Sequence, residues 1–283
     1  MLKACVKSKD LYEGSKIHAH ILKVGLLKAS PYVIGRALIS MYSKCGSLSK
    51  AQQVLEELPL RDIICWNSLL IGFVQKGQDH DALNCFECMQ NEGLHPDSVT
   101  FTCVLKCCAK VGCLDKGKEI HDRIINIGLL EKDAILGTAL VDMYAKCGML
   151  TMAAEVLNEI AARTVVSWNA LMDGYVQQGQ ACEAFKCLEQ MQTECLSPDV
   201  VTYISILKAC SQTGDICKGK QVHHEILARG LLVDHIMLGN ALLDMYAKCG
   251  MLAKAQQVHD ELPIRDSVSW NALIAGYAQQ EQG

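Results

Sequence analysis

The sequence predicts an all-α fold, a right-handed α-solenoid of helix-turn-helix repeats. Three observations carry that expectation. MYSKCG at 41–46 returns as MYAKCG at 143–148 and again at 245–250, each time 102 residues further on. Trp66, Trp168 and Trp270, all the tryptophans of the chain, keep the same spacing, and each is followed directly by Asn. Gly46, Gly77, Gly112, Gly148, Gly179, Gly214 and Gly250 then divide the superperiod into steps of 31, 35 and 36 residues.

Each of these glycines separates two apolar stretches of helical period. Before Gly148, Leu140, Met143 and Tyr144 recur at helical spacing; after it, Leu150, Ala153, Val156 and Leu157 do so. Glycine readily takes the left-handed conformation that ends a helix. Each unit therefore reads as helix A, a tight turn and helix B. A hairpin of this size buries its apolar face only against stacked neighbours, so stability accumulates unit by unit. The register gives one solenoid over 1–283, with units 1–31 (partial), 32–62, 63–97, 98–133, 134–164, 165–199, 200–235, 236–266 and 267–283 (partial). The first has one residue more between Gly25 and the following unit than its two counterparts. The chain opens inside one helix A and stops inside another, which reads as a segment of a longer array.

Composition fits this picture. Half of the 283 residues are apolar, and 27 Lys and Arg stand against 31 Asp and Glu, a net charge of −4. A general polyanion binder would be basic over its whole surface; a local basic stripe remains compatible with this balance. No run reaches the roughly 18 consecutive apolar residues of a membrane span, so no membrane partner is expected. The opening residues, MLKACVKSKDLYEG, lack the apolar stretch of a signal peptide and the Arg/Ser bias of a transit peptide. Sixteen cysteines are spread through the helical pattern and not spaced as a disulfide framework, which points to a reducing compartment.

Chemistry-bearing motifs are weak. His223-His224-Glu225 satisfies H-x-E, and Cys85 and Cys88 make a lone C-x-x-C, but the order is reversed relative to a zinc deaminase and both fall inside repeat helices. Two cysteines do not close a tetrahedral zinc site. His223 recurs as His121 and His18, which marks it as a packing residue of the 36-residue unit. Cys45, Cys147 and Cys249, and likewise Cys108 and Cys210, also recur, as small apolar thiols suited to crowded helix contacts. Phosphate-binding glycine loops and nucleophile elbows are missing. No catalytic residue, metal or cofactor is expected.

The motifs VSWNALMDGYVQQG and CLSPD in the 35-residue units, NALLDMYAKCG in the 31-residue units, and ISILKACSQTG with KGKQVHHEILARG in the 36-residue units resemble the pentatricopeptide-repeat family. The resemblance is to its plant-type arrays that alternate long, standard and short motifs, and it covers essentially the whole chain. The W-x₂-L-G-x₂-Y pattern of tetratricopeptide arrays is absent.

The resemblance implies binding of single-stranded RNA, about one base per unit. It implies that the fifth and last residues of a unit contact the base edge, and that the apolar second residue wedges between bases. The fifth and last residues are Asn67 with Asp97, Asn169 with Asp199, and Asn240 with Asp266, which the family reads as uracil first and cytosine second. Thr102 with Asp133 is a guanine-type pair. Arg36 with Asp62, Thr138 with Thr164, and Ile204 with His235 depart from the usual pairs, and Asn271 is the fifth residue of the last, partial unit. The alternative for an Asn at these sites is a helix N-cap.

The second residues are Val33, Ile64, Val99, Ile135, Val166, Val201, Met237 and Val268; their alternative reading is ordinary inter-repeat core. Lys44, Lys110, Lys146 and Lys248 share the thirteenth position and are expected to form a stripe toward phosphates, or else to be solvated lysines favoured by the helix dipole.

The family resemblance also implies work in a mitochondrion or chloroplast, targeting RNA processing such as cytidine-to-uridine editing. The deaminase would be a C-terminal domain outside these residues or a partner in trans. Competing with this is a protein- or peptide-binding solenoid without RNA readout, and, third, an array that folds but binds nothing tightly.

Overall fold

The computed structural model describes residues 1–281. Among them every regular element is an α-helix. The fold is an all-α helical-repeat solenoid, as the periodicity predicts. Two compact units divide the chain, Met1–Cys147 and Gly148–Gly283.

In the first unit the A helices are α4 (Pro31–Lys44), α6 (Ile63–Lys76), α8 (Ser98–Val111) and α10 (Ala134–Lys146). The B helices are α2 (Leu11–Lys23), α5 (Leu48–Glu57), α7 (Asp79–Asn91) and α9 (Leu114–Asn126), and α1 (Leu2–Ser8) and α3 (Leu26–Ala29) complete the set. In the second unit α12 (Val165–Gln177), α14 (Val200–Thr213), α16 (Ile236–Lys248) and α18 (Ser267–Glu281) are A helices, with α11 (Leu150–Glu159), α13 (Ala181–Thr193), α15 (Ile216–Ala228) and α17 (Leu252–Glu261) as B helices. Within each unit, successive A helices pack on one another, and each B helix lies between its own A helix and the next, except α11, which packs on α12.

All seven turn glycines hold φ between 70° and 83°, as their role between helices A and B requires. A second kind of glycine permits close approach. A Cβ on Gly72 of α6 would stand 2.8 Å from Ser43 Cβ and 2.6 Å from Leu48 Cδ2, so only glycine lets α6 cross α4 at this distance. The connection before the second repeat, one residue longer than its counterparts, carries α3, and Pro31 occupies the first turn of α4, so that helix starts one residue before the boundary drawn from the sequence.

The core lies where helical spacing puts it. Leu38, Leu70, Val104, Leu140, Leu207 and Leu243 are fully buried on A helices, each worth roughly 1.5–3 kcal/mol of burial. The recurring histidines are packing residues. Nδ1 of His18, His121 and His223 lies 3.0, 2.9 and 2.9 Å from the hydroxyls of Tyr42, Tyr144 and Tyr246 on the next A helix. The turn cysteines Cys45, Cys147 and Cys249 point their thiols at the carbonyls of Cys5, Cys108 and Cys210. Burial pushes Cys108 and Cys210 up to about 12, so these thiols stay protonated.

Candidate nucleic-acid interface

The sequence register turns out to be a capping register. From repeat 32–62 onward, the last residue of a repeat stands at the N-cap of the next A helix. Asp62 accepts from the Cys65 amide, Asp97 from Thr100, Asp199 from Thr202 and Asp266 from Ser269. Asp133 accepts from the amides of Ile135 and Leu136, and the Thr164 hydroxyl from that of Ser167. His235 occupies the N-cap of α16 without a side-chain cap bond. The capping alternative thus belongs to the carboxylates, and Asn67, Asn169 and Asn240 are not caps. They lie one turn inside their helices and are buried.

Capping and pairing meet on the same carboxylate. Asn67 Nδ2 donates to Asp97 Oδ1 at 3.0 Å and Oδ2 at 3.2 Å. Asn169 donates to Asp199 at 2.9 Å, and Asn240 to both oxygens of Asp266 at 3.2 Å. The three Asn/Asp pairs of the sequence are therefore joined directly. Burial disfavours the ionised form of Asp199, but bonds from the Thr202 amide, the Asn169 side chain and the Thr202 hydroxyl outweigh it and hold the carboxyl below its ordinary range. At Asp266 the Ser269 amide leads the lowering. At Asp62 the Arg36 guanidinium and the Cys65 amide overcome burial to the same effect.

The remaining positions differ. Arg36 forms an ion pair with Asp62, its Nε donating at 2.8 Å. Thr102 turns its hydroxyl back to the Ser98 carbonyl, 2.7 Å away, instead of toward Asp133. Thr138 does the same toward Ala134, at 2.8 Å; it and Thr164 belong to different compact units. Ile204 is half-buried and His235 exposed, and Asn271 is exposed on α18.

The second positions are the clearest result. Val33, Ile64, Val99 and Ile135 in the first unit, and Val166, Val201, Met237 and Val268 in the second, are all exposed, from 45% at Ile64 to 73% at Met237. The inter-repeat-core reading therefore fails for them. Each stands in the first turn of an A helix, one turn from the fifth residue. Within each unit these exposed aliphatic surfaces cost hydration free energy.

The thirteenth-position lysines end their A helices and are exposed. Lys146 and Lys248 are ion-paired with Asp142 and Asp244 one turn back, at 2.9 and 2.8 Å, and Lys110 with Asp79 at 3.3 Å.

Sequence reasoning missed two recurring clusters. In one, Glu92 joins the Trp66 indole (3.1 Å) to Arg61, and Glu194 joins Trp168 (2.9 Å) to Arg163 (2.7 Å). In the other, the hydroxyls of Thr100 and Thr202 donate to Oδ1 of Asn67 and Asn169, both at 2.7 Å. Their recurrence at 102 residues was the available signal.

Among the described residues no group of three or more His, Cys, Asp or Glu is placed to hold a metal ion, and no helix is long and apolar enough to cross a membrane.

Comparison with known proteins agrees with this architecture. The PPR repeat family matches residues 61–110 and 163–212, and the PPR repeat matches 36–63, 99–129, 138–164, 240–266 and 268–283. A putative mitochondrial pentatricopeptide repeat-containing protein of Arabidopsis thaliana is 37% identical over 100% of this chain and 44% of its own length. A chloroplastic one from the same plant is 35% identical over 99% and 45%. The chain thus spans less than half of these relatives. Among solved structures, the pentatricopeptide repeat protein PPR10 in complex with an 18-nt psaJ RNA element superposes with a TM-score of 0.79 at 19% identity. That match covers 95% of this chain and 40% of PPR10. With the repeat matched along most of its length, the chain belongs to the pentatricopeptide-repeat family.

Proposed function

We propose that this chain binds single-stranded RNA in a sequence-selective way, about one base per repeat, and so targets RNA processing in an organelle. The observation that carries the reading is the exposure of all eight second-position aliphatic side chains, each one turn from a fifth residue and, through it, in three repeats, from an Asn/Asp pair. An apolar surface of that periodicity is suited to the faces of unstacked bases, and the paired amide and carboxylate are suited to their edges. PPR10 is a repeat protein solved with RNA, and the names of the Arabidopsis relatives place them in mitochondria or chloroplasts. Alternation of 31-, 35- and 36-residue units favours cytidine-to-uridine editing as the process, with the deaminase in a further domain or in trans. Lys110, Lys146 and Lys248 would then give up their aspartate partners to reach phosphates.

The test uses four RNAs of about seven nucleotides that differ only at the fifth, the nucleotide opposite repeat 165–199. Preference for uracil there, and weaker binding of a duplex, support the reading. Asn169→Thr recreates a Thr/Asp pair and should move the preference toward guanine by roughly tenfold at that nucleotide alone, by analogy with base-edge contacts of 1–3 kcal/mol. Equal binding of all four RNAs by the parent would leave the protein-binding solenoid as the better account.

A further inference from the structure

The three Asn/Asp pairs are not equivalent, and the difference lies in the third residue of the following repeat. At Asn67 and Asn169 that residue is Thr. Thr100 and Thr202 each accept a hydrogen bond from the N-cap amide, at 3.3 and 3.1 Å. Each sends its hydroxyl to the Asn Oδ1 at 2.7 Å, with the Asp Oδ1 2.9 Å away. At Asn240 the third residue is Ser269. Its hydroxyl turns instead to the Asp266 main-chain carbonyl at 2.8 Å. Ser167, at the same place in α12, also bonds the carbonyl three residues back, at 2.8 Å. Asn240 Oδ1 is consequently buried without a hydrogen-bond partner.

The chemistry follows from the side chains. At this third position the two residue types take different rotamers: Thr100 and Thr202 keep their hydroxyls on the side-chain cluster, whereas Ser167 and Ser269 turn theirs to the backbone carbonyl, a local bond open to short hydroxyl side chains. In the Thr repeats the Asn amide is held at both ends, by carboxylate at the nitrogen and by hydroxyl at the oxygen. It then offers a base only its remaining N–H, a donor suited to a carbonyl acceptor such as uracil O4. In the Ser repeat the carboxylate alone holds the amide. Turning Oδ1 toward a base breaks no bond to a hydroxyl, so an exocyclic amine such as cytosine N4 can be accepted as well.

We infer that Thr100 and Thr202 are positioning residues which sharpen uracil over cytosine at the preceding repeat, and that Asn240/Asp266, lacking the threonine, tolerates either pyrimidine. This rests on the base-reading function proposed above. The third residue contacts no base itself and acts only through the Asn.

The experiment measures Kd for RNAs carrying uracil or cytosine at the fifth or the seventh nucleotide, opposite repeats 165–199 and 236–266. The parent should discriminate more at the fifth than at the seventh. Thr202→Ser should lower the uracil-to-cytosine ratio at the fifth about fivefold, the order expected for one neutral hydrogen bond, and leave the seventh unchanged. Ser269→Thr should raise the ratio at the seventh by a similar factor, a gain that misfolding would not produce. If the parent prefers uracil at the fifth but both variants keep parental ratios, the positioning role is wrong and base reading stands. If the parent shows no preference at either nucleotide, base reading itself fails and takes this role with it.

Discussion

Trp168 donates its indole N–H to Glu194 across the hairpin of a single repeat, and the same carboxylate receives Arg163 from the end of the repeat before. One glutamate thus fastens helix A to the end of helix B and ties both to the preceding repeat. Glu194→Ala should leave the Trp168 N–H and the guanidinium without partners and cost roughly 1–3 kcal/mol. Thermal unfolding should register this as a lower Tm, while base preference at the fifth nucleotide is kept. An unchanged Tm would mean that water replaces the carboxylate fully.

Val166 separates binding from stability. Because it is 62% exposed, Val166→Ser should move stability by no more than about 0.5 kcal/mol. RNA affinity should nevertheless fall by roughly tenfold, whatever the base, as expected when one stacking surface is lost. A Tm drop with intact affinity would return the residue to a packing role.

The lysines give a salt-dependence test. Each one that meets a phosphate on a single strand adds about 0.7 to the log–log slope of affinity against salt. Replacing Lys44, Lys146 and Lys248 with Ala should therefore flatten the slope by about two. If the slope is unchanged, the ion pairs with Asp142 and Asp244 persist in the complex.

His223 sets a pH dependence. Burial lowers its pKa below the ordinary value, so the unfolded chain takes up a proton before the native one. The stability linked to this group is fully present above the unfolded pKa of about 6.5 and is lost as pH falls from there through the folded pKa. His18, lowered chiefly by the same cause, acts in the same direction. Tm should fall between pH 7.5 and 5, and His223→Gln should fall less steeply over that range, starting from a lower value. Parallel slopes would assign the loss to other groups.

Much of the fold was legible because a repeat prints its geometry many times. Turn glycines, helix order and packing histidines were each announced by three or more copies at fixed spacing, and one core residue per helical turn followed. The site was legible in its membership, since Asn67/Asp97, Asn169/Asp199 and Asn240/Asp266 do meet, but less so in its division of labour. Asn is a good N-cap residue in general. Which member of the pair caps depends on where the helix begins, and periodicity places a helix start only to within a residue or two. The exposure of Val33 or Met237 was hidden for a related reason. An aliphatic residue in the first turn looks the same in sequence whether it faces a neighbouring helix or water, and only the rotation of the helix about its axis decides. The direction of a serine or threonine hydroxyl, on which Asn67 and Asn240 differ, is set by a rotamer that no pattern records.

The carboxylate that ends one repeat also starts the helix of the next, and this dual employment restricts how such an array can evolve. A repeat that exchanges its last residue to alter base choice must install another side chain able to accept from backbone amides. The alphabet open to it is close to Asp, Asn, Ser and Thr. A larger or aliphatic side chain in that place forgoes the cap, at a cost of roughly 1 kcal/mol. His235 is the exception, for it gives its helix no side-chain cap and belongs to the repeat whose fifth residue is the aliphatic Ile204. On the proposed base-reading function, the vocabulary of recognition is short because it is borrowed from the vocabulary of helix initiation.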